Sequence, residues 1–299
     1  MNHFECPKRS SNEQCLFRAR SGSVRDASSI GVEECQECSL VIHSQPLNQL
    51  VNYESGSMGE WSKGYGDKTA KPSYDILRRF NAVVDLSNKC SIHRILDVGC
   101  GEGLMVKKFA ESFHTEGIEP EKRARDICTS SGLSVHSDLE SLEKNSEVFD
   151  LISLFHVIEH VYHPSDLLKR LKALLNPNGI LLIETPNSMD ALLTKYQSAS
   201  FQNFTYWSHH PMLYSPSALA SLVTRCGFDV IENIGIQRYG LENHIYWLSK
   251  GLPGGHEVWR DLFDKKVNEE YARNLASTGI SDTLWLVATK NSDGSNSKF

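Results

Sequence analysis

Ile95-Leu96-Asp97-Val98-Gly99-Cys100-Gly101-Glu102-Gly103 is the stretch that decides the fold. An apolar run ends in an acid and alternating glycines follow. In the next segment Val106, Phe109, Ala110 and Phe113 recur at i, i+3, i+4 and i+7, one face of a helix. The stretch reads as strand, tight turn, helix. Such a turn brings bare backbone amides and a helix N-terminus to one place, so a ligand can approach where a side chain would exclude it.

The residues around the turn narrow the ligand. A dinucleotide fingerprint wants Gly-x-Gly-x-x-Gly, its third glycine letting helix and strand close around a pyrophosphate. Here that position is Leu104, and Asp97 would repel a pyrophosphate but suit an ammonium group. Farther on, Gly117-Ile118-Glu119-Pro120 reads as a second strand ending in an acid, placed to accept both hydroxyls of a ribose. A glycine turn by itself serves any tight bend. Joined to Asp97 and Glu119, it selects a nucleoside that bears an ammonium and no phosphate, which describes S-adenosylmethionine (SAM). The nine residues closely resemble the first motif of class I SAM-dependent methyltransferases. The expected cofactor contacts are Asp97, Gly99, Cys100, Gly101, Gly103, Glu119 and Pro120.

From Arg94 strand and helix alternate. A helix from Pro120 closes at Gly132, and Ser134–Asp138 reads as a weak third strand. Phe149–Phe155 is a continuous apolar run, as expected for a strand covered on both faces. Pro164 opens a helix with Leu167, Leu168, Leu171, Leu174 and Leu175, and Pro177-Asn178-Gly179 turns it into the strand Ile180–Ile183. Ser215-Pro216 caps a helix that stops at Gly227, and Phe228–Ile234 and Thr283–Thr289 are the last strands. This spacing specifies an α/β fold, a doubly wound, Rossmann-like, seven-stranded and mostly parallel sheet, with its ligand at the carboxyl ends of the strands. The resemblance adds that the final strand runs antiparallel.

By the same resemblance Asp138 and Leu139 flank the adenine, although Asp138 serves equally as a helix N-cap. Phe155-His156-Val157-Ile158-Glu159-His160 falls where the family reads an apolar or aromatic residue and then a Glu-His pair, which puts Phe155 and His156 beside the cofactor. Where the methyl acceptor is a hydroxyl its proton must leave, and a neutral histidine suits that task. His160 is the candidate base, with His209, His210 and His244 behind it; a histidine beside a sheet can instead be a structural hydrogen bonder. No residue is assigned to a metal.

Two insertions enlarge the acceptor side. The first, 186–214, carries Phe201, Phe204, Tyr206, Trp207, His209, His210 and Tyr214, either a wall for a sugar or planar substrate or a flap packed on itself. The second, 239–282, is similar to the C-terminal part of methyltransferases from surface-polysaccharide gene sets.

The first fifty residues differ in character. Cys35-Gln36-Glu37-Cys38 has the spacing of half a zinc knuckle, whereas Cys6-Pro7-Lys8-Arg9 resembles a knuckle with its second cysteine lost. Cys6, Cys15, Cys35 and Cys38 form either a zinc ribbon or, the reading preferred, a degenerate metal-free one. Residues 51–71 read as a linker or lid, with Trp61 and Tyr65 available to pack on the domain or over a ligand. The methyltransferase-like part runs from 72 to 290, and the Ser/Asn-rich 291–299 is an expected disordered tail.

Composition limits the partners. Lys and Arg total 31 against 37 Asp and Glu, a formal charge of −6, and the basic residues form small clusters, which disfavours nucleic acid. No apolar run is long enough to span a bilayer and no signal-peptide core opens the chain, so a cytosolic location is expected, with thiols reduced. The expected activity is methyl transfer from SAM to a small-molecule hydroxyl. A nucleotide-linked sugar or glycan precursor stands first as acceptor and a quinone or other aromatic second. A nicotinamide oxidoreductase and a non-catalytic SAM-binding module are the rivals.

Overall fold

The computed structural model of the protein describes residues 16–45 and 74–290. The expectations for Cys6, Cys15, Trp61, Tyr65 and the tail lie outside these residues. In chain order the elements are β1 (Phe17–Val24), β2 (Ala27–Cys35), β3 (Val41–His43), α1 (Tyr74–Ser87), β4 (Arg94–Val98), α2 (Leu104–Phe109), β5 (His114–Ile118), α3 (Lys122–Ser130), β6 (Val135–His136), α4 (Glu140–Lys144) and β7 (Phe149–Phe155). A single turn at Ile158–His160 follows, then α5 (Pro164–Ala173), β8 (Leu175–Pro186), α6 (Ala191–Thr194), α7 (Ala199–Thr205), β9 (Met212–Leu213), α8 (Pro216–Arg225), β10 (Phe228–Ile236), α9 (Leu241–Lys250), α10 (Gly255–Val258), α11 (Lys265–Ser277) and β11 (Thr283–Lys290).

A seven-stranded sheet in the order β10-β11-β8-β7-β4-β5-β6 forms the centre. From β6 to β8 every neighbouring pair is parallel, whereas β11 is antiparallel to both β8 and β10. The antiparallel final strand implied by the family resemblance is therefore present. β7 is apolar along nearly its whole length because helices cover both its faces, and Leu151, Ile152 and Leu154 are wholly buried. β4 lies between β5 and β7, so the chain reverses its direction of winding beside β4 and leaves a crevice at the carboxyl ends of the strands.

Local signals account for most boundaries. Pro164 opens α5, and the Ser215 hydroxyl accepts from the Ala218 amide at the start of α8. The strand after α5 differs from expectation, since it starts at Leu175 and not at Ile180. Partners shift from Phe149↔Leu175 to Leu151↔Ile180, so Pro177-Asn178-Gly179 is a bulge inside β8. Pro177 cannot donate to the ladder and Asn178 takes a left-handed φ of 65°, which explains why the chain swells there.

The N-terminal strands join the rest of the molecule. They form a second sheet, β1-β2-β3-β9, whose last strand comes from the first insertion. Cys35, Cys38, Leu40 and Ile42 are buried in the main core together with Met212 and Tyr214. Among the described residues no helix is long and apolar enough to cross a membrane.

Candidate active site

The glycine turn stands at the end of β4. Gly99 and Cys100 donate backbone N–H bonds to the Ile118 carbonyl at 2.7 and 3.0 Å, which ties the turn to β5. Gly101 donates its N–H to Glu119 Oε2 at 2.8 Å, and the Glu121 N–H reaches Glu119 Oε1 at the same distance. Gly101 has φ +54°, and a Cβ built there would meet nothing within 4 Å. That is open space beside a backbone only glycine adopts easily. Gly103, with φ +79°, differs: its Cβ would stand 2.7 Å from Leu133 and 2.8 Å from the Cys128 sulfur.

Asp97 is buried at the end of β4, and its Oδ1 accepts from the Ser153 hydroxyl at 2.7 Å. Burial pushes its carboxyl up to about 7, against the pull of Ser153 and the positive charge of Arg79. Burial also raises Glu119, although the Glu121 and Gly101 amides partly offset it. These acids face one small region and want a cation or hydroxyl donors.

Other predicted residues divide. Asp138 is exposed, accepts from the Glu140 amide at 2.8 Å and holds the turn into α4, while Leu139 is 4% exposed and packs in the core. Phe155 is 9% exposed, stacks on Trp285 with centroids 6.2 Å apart and lies under the Arg79 guanidinium. His156 has φ 57°, a strained geometry for a histidine. Its Nδ1 lies 3.2 Å from Glu159 Oε1, and its Nε2 lies 2.9 Å from Arg238 Nη1 and 3.3 Å from Glu184 Oε1. Burial opposes its charge, but bonds to the two glutamates outweigh that and raise its pKa.

Sequence reasoning missed the ionic frame around this histidine. Arg78 and Arg79 of α1 both bind Glu184 of β8 at 2.6 Å, and Arg238, just after β10, binds Asp75 of α1 at 2.6 Å. Burial would raise Glu184, yet His156 and Arg79 hold it well below the usual carboxylate range. The sequence offers only the charged pair Arg78-Arg79 on a helix that also carries Asp75 and Asp85.

The acceptor side is built from the turn after β7 and the first insertion. His160 Nδ1 lies 2.7 Å from the His209 carbonyl, and its ring is 4.7 Å from that of His210. Trp207 stacks on His209 at 4.2 Å and 13°. The N-terminal sheet holds this loop: Arg25 covers the Trp207 ring at 4.4 Å, Asp26 accepts from the Ser208 backbone and hydroxyl, and His43 Nε2 meets the Trp207 carbonyl. Burial lowers His209, and lowers His210 to about 3, which favours the neutral ring in each. Burial likewise lowers His244 to about 4; it is enclosed between Gln237 and Tyr271. Glu159 is held at about 2, because His156, His160 and His210 outweigh the burial that would raise it.

The family profile described as a methyltransferase domain matches residues 66–233. The chain belongs to this family. The ubiquinone biosynthesis O-methyltransferase of Haemophilus ducreyi is 31% identical over 122 residues, covering 36% of this chain and 52% of that protein. Its Coxiella burnetii counterpart is 27% identical over 161 residues, covering 50% of this chain and 69% of that protein. Over the first of these matches, the chain spans about half the length of the curated relative. Among solved structures, a chain of the complex between the Haloferax volcanii Trm112 methyltransferase activator and a methyltransferase superposes with a TM-score of 0.52 at 13% identity. It covers 81% of this chain and 98% of that one, a likeness of fold.

The methyltransferase domain is thus a class I, SAM-dependent one, and its residues fit SAM. Gly101 leaves the space a nucleoside needs, and Asp97 offers an ammonium a carboxylate that no described cation pairs directly. Leu104 stands where a pyrophosphate site would need its third glycine.

Proposed function

We propose that the protein methylates a hydroxyl of an aromatic, quinol-type small molecule, using SAM as donor. The donor half rests on one observation, the open φ-positive Gly101 between the buried Asp97 and the half-buried Glu119. SAM supplies an activated methyl on a sulfonium, already a good leaving group. The chain has to hold it, align an acceptor in line and deal with the acceptor's proton. Asp97 offers a carboxylate to the ammonium, and Glu119 offers its remaining acceptor capacity to ribose hydroxyls. The turn from Gly99 to Gly103 keeps side chains away from the nucleoside.

His160 is the residue we assign to the acceptor oxygen. The activity for which the curated relatives are named favours an aromatic acceptor, ahead of the nucleotide-linked sugar that the aromatic insertions first suggest. Polyhydroxylated aromatics and nucleotide sugars, each incubated with protein and labelled SAM, test the choice. Label transfer to the aromatic set and not to the sugars is expected; the reverse result restores the sugar reading.

A further inference from the structure

Glu159, His160 and His210 each offer one ligand atom, and the three atoms lie within 4.8 Å of one another. Two residues come from the turn after β7, and His210 comes from the loop before β9, so only the folded chain assembles the group. His160 Nδ1 lies 2.7 Å from the His209 carbonyl and His210 Nδ1 lies 3.1 Å from the Thr205 carbonyl. A carbonyl only accepts, so each Nδ1 carries a ring proton, and in the neutral ring the lone pair is left on Nε2. That is the tautomer of an Nε2-bound metal ligand, and a backbone carbonyl on the far nitrogen is a usual outer partner of one. Glu159 is 1% exposed, and its carboxylate is aimed by Thr185 Oγ1 at 2.9 Å and His156 Nδ1 at 3.2 Å.

We propose that Glu159, His160 and His210 form a three-ligand site for a divalent first-row transition metal on the acceptor side. Two imidazoles and one carboxylate suit zinc, manganese, iron or cobalt better than magnesium or calcium, which prefer an all-oxygen shell. Three protein ligands leave positions open, as catalytic sites do, and an acceptor hydroxyl is the oxygen to fill one. In role the site rests on the methyl-transfer reading, and it makes His160 a ligand where sequence alone suggests a base.

Binding of Co2+ to the full-length, chelator-treated protein tests this without an acceptor. Cobalt separates the site from Cys35 and Cys38, because thiolate ligation adds strong charge-transfer absorption that nitrogen and oxygen ligands lack. One equivalent with visible d–d bands and no thiolate band is expected. The variants Glu159→Gln and His210→Ala should each weaken binding by more than about tenfold. S-adenosylhomocysteine (SAH) affinity, measured on the same samples, should stay within about twofold of the parent, which shows that the fold and donor pocket persist. Absence of cobalt binding, a thiolate spectrum, or binding unchanged in both variants overturns the site. SAH binding without cobalt binding overturns the metal alone, whereas loss of SAH binding by the parent protein strikes the donor reading.

Discussion

The Gly101 N–H donates to Glu119 Oε2 at 2.8 Å, so the residue that opens the turn and the acid at the end of β5 are parts of one device. Glu119→Ala should release the turn and remove a ribose partner together. A hydrogen bond to a charged group is worth about 1.5–3 kcal/mol. SAH affinity measured by calorimetry should fall at least about tenfold, with a modest drop in melting temperature.

Gly101→Ala and Gly103→Ala separate ligand space from packing. Both force an alanine into left-handed backbone, at about 1–2 kcal/mol. Only at Gly103 does the methyl also strike Leu133 and Cys128. Thermal melts should show the Gly103 variant to be the less stable, whereas calorimetry should show the Gly101 variant to lose SAH binding while still folded.

Much of this was legible in sequence because it is local. The turn, Glu119, the strand Phe149–Phe155 and the caps at Pro164 and Ser215 depend on residues a few positions apart. The frame of Arg79, Glu184, Arg238 and Asp75 joins residues more than a hundred positions apart, and no periodicity records such pairing. The union of β3 with β9 was hidden for the same reason, since two residues of strand carry no register signal. Leu139 is expected to flank adenine, and it stands at the start of α4 with its side chain in the core, a placement that depends on distant packing partners.

Asp97 gives a pH dependence with a definite sign. Its folded pKa of about 7 lies above the ordinary unfolded value of about 3.9, so the folded chain binds the extra proton between those values. Its contribution to stability is full below about pH 4, declines as pH rises to about 7 and is constant above. An ammonium ligand needs the ionised form. SAM affinity should therefore climb by up to about tenfold per unit as pH rises toward 7, then level. Calorimetry at pH 6 in buffers of different ionisation enthalpy should register release of close to one proton, and Asp97→Asn should abolish it.

Arg238 ties the segment after β10 to α1 through Asp75 at 2.6 Å and to the turn after β7 through His156 at 2.9 Å. Removing one partner of a largely buried pair strands the other; allowing for the partial exposure of both, Arg238→Ala should cost about 2 kcal/mol. Urea unfolding measures it. Arg238→Lys should recover only part, because an ammonium cannot reproduce the two-nitrogen contact of Arg238 with Asp75.

The central claim is that the turn from Gly99 to Gly103 holds SAM, and titration of SAH into the purified protein, with NADH as control, tests it most directly. One equivalent of SAH bound, weakened by Glu119→Ala and with no heat from NADH, is the predicted result. Tight NADH binding with no SAH binding would contradict the account.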